Sequence, residues 1–398
     1  MRINSINTFL PVRKPLPAFK GQGGVVSENS MVIKGKETQA KIFTRNVDFE
    51  TMDRIRDLCN HPVFSDIPIR IMPDTHASKT SVVGFSAPIG NSGKVIPNII
   101  GGDIGCGMLC VKFDTNGKEI DCKKLDNVIK TFISVLHTDM PHSLSKVPDT
   151  YMKQVRDIMA HKYKHKSDKV TASLGTIGGG NHFIEIDKDK DGGYYLVIHT
   201  GSRLFGKEVA DYHQGIAERQ NPYKNKDLSY LSGDEAKQYL EDMKLALNFS
   251  KYNRRVIADE ILARMGWKEI SSFESLHNYI SSDGMIRKGA INADKGQELI
   301  IPLNMRDGAI LGTGKGNEDW NSTAPHGSGR QFKRREMKDV LSFEEYRKSM
   351  DGIYSTCVSP STIDESPQAY KPSEEIEENI KDSVEVKEVI KPVYNFKD

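Results

Sequence analysis

The run Gly101-Gly102-Asp103-Ile104-Gly105-Cys106-Gly107-Met108 constrains this chain more than any other stretch. Four glycines interleave a carboxylate and a thiol, a composition poor at both helix and strand. Glycine costs roughly 0.5–1 kcal/mol relative to alanine inside a regular element, so such a run belongs where the backbone turns sharply or comes close to something. Residues 95–100 read as a short strand before it, and Leu109, Val111 and Phe113 alternate as a second strand after it. Asp103 and Cys106 are therefore expected on a tight turn between two strands. An oxygen and a sulfur ligand on one loop, joined by imidazoles, suit a borderline divalent metal. The plain alternative is a glycine-rich turn with a buried cysteine.

The 398 residues can bury a large core, as two or three domains or as one large unit. Lys and Arg number 56 against 54 Asp and Glu, so any anionic ligand has to be held by a local patch rather than by the overall charge. No apolar run approaches the ~18–20 residues of a membrane span, and the start lacks the apolar core of a signal peptide. Five cysteines without paired spacing point to a reduced, cytoplasmic compartment.

Residues 1–30, with Pro11, Pro15, Pro17 and a Gly-Gln-Gly-Gly run, read as a flexible leader; the folded part is expected over residues 31–398 as one intertwined domain, since no repeat or linker follows. Residues 52–59, 124–136 and 151–163 carry helical periodicity, and residues 67–72 and 194–198 read as strands. His161 and His165 are spaced i, i+4, but their basic surroundings favour a solvated helix end over a metal site. The longest helical pattern opens on a capping box, Ser232 to Glu235, and runs to about Met265, its charges reading as a solvated face. Towards the end come a helix from about Ser373 and a last strand reaching Lys397.

Three histidines share a turn-like, glycine-flanked setting: His182 after Gly-Gly-Gly-Asn181, His199 before Thr-Gly-Ser-Arg203, and His277 before Asn278. Any one of them alone reads as a hydrogen-bonded structural histidine. Together with Asp103 and Cys106 they supply five ligands, and because a thiolate can bridge, five ligands serve two ions and leave positions open for substrate oxygens. Gly312-Thr-Gly-Lys-Gly316 looks like a phosphate cradle but lacks the Walker spacing. His326 lies between Pro325 and Gly-Ser-Gly-Arg330, where backbone amides and a guanidinium can neutralise phosphate. An imidazole held there can attack a nucleotide α-phosphate and carry it covalently.

Met72-Pro-Asp-Thr-His76, Gly-Gly-Asp103-Ile-Gly-Cys106-Gly-Met, Gly-Thr-Ile-Gly-Gly-Gly-Asn181-His182-Phe183-Ile184-Glu185, His199-Thr-Gly-Ser-Arg203, His277-Asn278 and Pro325-His326-Gly-Ser-Gly-Arg330 stand in the order found in the RtcB family of RNA ligases, which the chain resembles from about residue 31 to its end. Glu365-Ser-Pro-Gln-Ala-Tyr370-Lys and Lys397 are similar to that family as well. The resemblance implies an α+β fold of the family's own type, with a central β-sandwich-like core. It implies a ligase that uses GTP and two manganese ions to join RNA 2′,3′-cyclic phosphate or 3′-phosphate ends to 5′-hydroxyl ends, in tRNA splicing or RNA repair. The partner is then RNA, with no membrane and with the chain acting as a monomer. Carried over, Asp103, Cys106, His182, His199 and His277 match the metal ligands, with Cys106 bridging, and His326 matches the guanylylated nucleophile. Asn181, His182, Phe183, Ile184, Glu185, His277, Asn278, Pro302, Leu303, Asn304, Met305, His326, Gly327, Ser328, Gly329, Tyr370 and Lys397 match nucleotide-binding positions, and Arg203 and Arg330 match phosphate or RNA contacts.

The chain departs from the family where Pro302-Leu303-Asn304-Met305-Arg306 replaces the usual Pro-Gly-Ser-Met-Gly, and at Ser78, Thr80, Leu204 and Lys333. Leucine for glycine is expected to crowd the guanylate pocket and weaken GTP binding. Two other functions fit parts of the pattern. A metal-dependent phosphoesterase would use the same ions without His326 or GTP, and a non-catalytic RNA-binding relative would form no guanylate adduct.

Overall fold

The computed structural model describes residues 29–78, 80–133, 146–163 and 167–397. The leader assigned to residues 1–30 falls almost wholly outside them, as do Leu136 at the end of one expected helix and His165. Helices and sheets are mixed, as expected of an α+β chain. Seven antiparallel strands form the larger sheet, in the order Glu298–Asn304, Gly308–Gly314, Val384–Phe396, Phe183–Lys188, Tyr194–Thr200, Gly107–Asp114 and Lys268–Leu276. Six shorter strands form the second sheet: Met31–Lys34, Gln39–Ile42, Ile69–Ile71, Phe85–Pro88, Met285–Lys288 and Asn278–Ile280. A two-stranded ribbon pairs Ala290–Asn292 with Thr323–Pro325.

The larger sheet is apolar on both faces, which is why its strands read as near-continuous hydrophobic runs. It curls until its two outer strands meet, the Ile300 N–H donating to Ser275 Oγ at 3.1 Å. Met108, Cys110, Val197, Ile300, Leu311 and Ile390 fill the concave side. Leu109, Val111, Phe113, Ile184, Ile186 and Ile198 fill the convex side, against Ile257, Ile261 and Leu262 of the helix Gly233–Met265. The alternation of Cys110 with Leu109 and Val111 is the period-two pattern of a strand packed on both sides.

Three departures from the sequence reading have local causes. Residues 97–100 form the short helix Pro97–Ile100 rather than a strand, because proline at the first helical position carries the right φ and needs no amide partner. Asp103 and Cys106 therefore follow a helical turn and precede a strand. The long helix begins at Gly233, but the Ser232 side chain makes no capping bond. Its polar face is solvated only along the first half, where Lys237, Glu241, Lys244 and Lys251 are exposed, whereas Asp242, Asn253, Arg254, Asp259 and Glu260 are buried. At 33 residues it passes from one core to the other, touching Tyr239 and Phe249 neighbours in the first and Ile257 neighbours in the second, and its residues 256–262 are buried on every side.

Those buried charges are paired. Asp242 Oδ2 accepts from His213 Nε2 at 2.7 Å, from Tyr163 Oη at 2.6 Å and from Lys162. Burial opposes the charge, but the His213, Lys162 and Tyr163 bonds outweigh it and hold the Asp242 carboxyl below its ordinary value. A lowered carboxyl stabilises the fold above the ordinary aspartate range, and that stabilisation disappears as pH falls through the folded-state value. Denaturant midpoints of the natural chain and Asp242→Asn are therefore expected to differ most at about pH 7 and to converge towards about pH 3.

Candidate active site

The two sheets meet at a single residue. Lys268–Leu276 ends the larger sheet, Asn278–Ile280 begins the smaller one, and His277 lies between them with its N–H donating to Cys106 O at 2.9 Å. His199 comes from the end of the strand Tyr194–Thr200, and His182 from the start of Phe183–Lys188 next to it. Five residues expected from the sequence are thus delivered to one point. Cys106, His199 and His277 form one triad and Asp103, Cys106 and His182 another, with all candidate ligand atoms of each within 4.8 Å of one another. Cys106 Sγ belongs to both triads, 3.2 Å from His199 Nε2 and 3.5 Å from His182 Nε2.

The chemistry of this donor set fits a divalent cation. His182 Nδ1–H donates to Ile177 O and His199 Nδ1–H to Asn181 O, each at 3.0 Å, so both Nε2 lone pairs face the cluster. His199 Nε2 lies 3.3 Å from His277 Nε2, a spacing characteristic of nitrogens that share a tetrahedral ion at ~2.1 Å each. Burial holds His199 and His277 well below the ordinary imidazole value and keeps them neutral. Burial opposes ionisation of Asp103 too, but the neighbouring His182 outweighs it and the carboxyl stays low. Burial, followed by Asp103, pushes the Cys106 thiol well above its usual range. Thiolate ligation at Cys106 thus depends on the charge a cation brings.

His326 follows the ribbon strand Thr323–Pro325, and its ring lies against His277 with centroids 4.6 Å apart. Asp74 Oδ2 accepts from His326 Nδ1 at 2.6 Å and from its backbone N–H at 3.2 Å, which leaves the lone pair on Nε2. Gly329 has φ +72°, and a Cβ there would stand 2.2 Å from Asp74 O, so glycine is required where these loops cross.

The positions expected to bind nucleotide divide into two sets. Tyr370 Oη and Lys397 Nζ both donate to Glu365 Oε2 at 2.5 Å, and Asn395 Nδ2 donates to Glu185 Oε2 at 2.6 Å. Asn278 braces the Asp103 loop, its Nδ2 donating to Asp103 O at 3.2 Å. Phe183 packs edge-on against His199, Asn181 is exposed, Gly327 abuts Pro302 O, and Ser328 is buried. Ile184 points the other way, into the convex core. Leu303 also turns away. It packs with Ile291, Leu299, Ile301, Ile376 and Ile380, while Met305 packs with Met337 and Tyr346. Asn304 closes the hairpin, its Oδ1 accepting from the Arg306 and Asp307 amides. The expected crowding of the guanylate pocket by the Leu303 side chain is therefore absent. Leu303→Gly is expected to open a cavity and cost about 3–5 kcal/mol in chemical denaturation, rather than to improve nucleotide binding.

Arg203 opens the helix Arg203–Gln220 at φ +57° and lies over Gly178, with Nη1 3.3 Å from His182 Nδ1. Arg330 donates from Nε to Phe332 O at 3.2 Å and from Nη2 to Asp364 O at 2.6 Å, so two of its nitrogens are engaged within the chain. Gly312 and Gly314 lie inside the strand Gly308–Gly314, packed on Glu385 and Ala293 backbone, and the Lys315 and Gly316 amides beyond it donate to Ser383 O and Ala293 O, so the backbone of the apparent phosphate cradle is engaged within the chain. Sequence reasoning assigned no role to Asp74, Glu365, Asn253 or Arg254. Asn253 Nδ2 donates to Thr176 O at 3.0 Å and to Gly201 O at 3.3 Å, and Arg254 Nη1 to Gly105 O at 2.8 Å and Thr200 O at 2.7 Å. The two residues tie all the ligand-bearing loops except that of His277 to one helix.

The family model described as tRNA-splicing ligase RtcB matches residues 55–398. The chain belongs to the RtcB family. It is 26% identical to the RNA-splicing ligase RtcB of Escherichia coli K12, over 90% of this chain and 97% of that protein. It is 26% identical to the tRNA-splicing ligase RtcB of Nanoarchaeum equitans, over 88% of this chain and 90% of the relative. A second Escherichia coli relative, RNA-splicing ligase RtcB2 of strain ATCC 25922, is 28% identical over 77% of this chain and 80% of its own length. Among the described residues no helix of this RtcB family member is long and apolar enough to cross a membrane.

Proposed function

We propose that this chain is a GTP- and manganese-dependent RNA ligase that joins 2′,3′-cyclic phosphate or 3′-phosphate ends to 5′-hydroxyl ends through a guanylylated His326. One observation carries the reading: an imidazole with Nδ1 locked by a buried carboxylate, its ring packed against a histidine of the two-triad cluster. A phosphoesterase has no use for that imidazole.

Asp103, Cys106, His182, His199 and His277 would hold the ions, Cys106 in both sets. When bound, they supply positive charge that offsets phosphate oxygens. His326 Nε2 attacks the α-phosphorus of GTP; the N–P bond forms, the bond to the β-phosphate bridging oxygen breaks, and pyrophosphate leaves. The ring gains a positive charge, which Asp74 balances from the Nδ1 side. Transfer of the guanylate to an RNA 3′-phosphate turns a poor leaving group into GMP, which the 5′-hydroxyl then displaces. Glu185, Tyr370 and Lys397 would hold the nucleotide, and Arg203 would meet a phosphate beside His182.

Because both triads share Cys106, Cys106→Ala is expected to lose both equivalents of manganese and His277→Ala only one, read by metal analysis of the purified variants. Equal single losses would show that Cys106 does not bridge. The function itself is tested by incubating the chain, GTP and manganese with a pair of RNAs ending in 3′-phosphate and 5′-hydroxyl. A joined product that requires all three components is expected; phosphate release without joining would favour the phosphoesterase.

A further inference from the structure

Lys371 has no role in the chemistry above, yet it touches both loops that set the nucleophile. Its side chain is buried, with Nζ donating to Pro73 O at 2.8 Å and to Asn46 O at 3.1 Å. Pro73 O belongs to the peptide that leads into Asp74, the residue that holds His326 Nδ1. Its backbone N–H donates to Gly329 O at 3.0 Å, on the far side of the His326 loop. Gln331 N–H donates to Ala369 O at 2.9 Å, and Arg330 and Tyr370 form a β-bridge, so segment 369–371 runs as a short ladder along segment 329–331. One residue therefore fixes the Asp74 loop with its side chain and the His326 loop with its backbone.

A buried ammonium requires a reason, because burial alone disfavours its charge and here holds Lys371 below the ordinary lysine value. The charged groups around it are Glu375, Asp74 and Asp48, and His76 is a further titratable neighbour. An apolar side chain of equal length would fill the space but leave the Pro73 and Asn46 carbonyls without a donor. We propose that Lys371 is a positioning residue for guanylylation, clamping the Asp74 peptide to the Gly329 loop so that the Asp74 carboxylate meets His326 Nδ1. This inference rests on the functional reading given above.

The test is rapid-quench guanylylation of the full chain with GTP and manganese, comparing Lys371→Met, Lys371→Arg, Asp74→Asn and the Lys371→Met/Asp74→Asn pair. Lys371→Met is expected to lower the rate constant at saturating GTP by at least about tenfold, with half-saturation shifted less than about threefold and manganese content unchanged. Lys371→Arg should recover part of the rate. The double variant should be no slower than Asp74→Asn alone, since Lys371 acts through Asp74. Multiplied losses in the double variant, or a loss confined to half-saturation, would overturn the proposal. If Lys371→Met fails to fold, Lys371→Gln, whose amide reaches one carbonyl, is read against the same limits. A natural chain that takes up no guanylate overturns the functional reading, whereas normal guanylylation of Lys371→Met overturns this inference alone.

Discussion

His326→Ala is expected to abolish covalent guanylate and RNA joining, a loss of at least about 10³-fold, while metal content and unfolding midpoint stay as in the natural chain. The expectation follows from position. His326 is on the rim of the cluster, packed at a tilt against His277, and is not a member of either ligand triad. Its Nδ1 and backbone amide are spent on Asp74 alone, so removing the ring leaves no other ligand out of place. Asp74→Asn should fall in between. The amide offers oxygen and nitrogen in the same shape, but it carries no charge to balance the ring once Nε2 holds phosphorus. Guanylylation by His326→Ala at the natural rate would move the nucleophile to another histidine.

Arg254→Met is expected to be the most destabilising substitution in the long helix, by about 3–5 kcal/mol, and to lower manganese content as well. The guanidinium is fully buried and donates to Gly105 O, Thr200 O and Glu274 Oε1, the last at 2.9 Å. Gly105 adjoins Cys106 and Thr200 adjoins His199. Methionine would leave two buried carbonyls and a carboxylate without their donor, and both ligand loops would lose a support at once. Urea unfolding and metal analysis on one preparation check both halves of the expectation. Stability lost with metal retained would mean that the loops hold their shape without the arginine.

The ligands were legible in the sequence and their supports were not. Asp103, Cys106, His182, His199 and His277 sit in glycine-rich, turn-like segments whose composition is unusual on its face. Asn253 and Arg254 sit in an unbroken helical pattern, where a polar residue facing water and one facing a buried carbonyl look alike. The helix splits into apolar and solvated faces over its first half only, and the pattern does not mark where the second half becomes buried all round. Leu303 failed in a similar way. A departure from the family pattern suggested a changed pocket, but strand alternation sends that side chain into the core beside Ile376. Pro97 shows the local limit, because a run of apolar residues that starts on proline fits a helical turn as well as a strand. Periodicity found Gly107–Asp114 and Tyr194–Thr200 in the larger sheet but not Phe183–Lys188 or Lys268–Leu276. That the sheet curls until Ser275 meets Ile300 depends on contacts far apart in sequence.

The most direct measurement of the central claim uses GTP labelled at the α-phosphate, incubated with the natural chain and manganese. Label bound to protein, released by acid but stable to alkali as an N–P bond should be, and absent from His326→Ala, is the result expected here. A chain that binds manganese at both triads yet takes up no label, or takes it up equally without His326, would contradict the account.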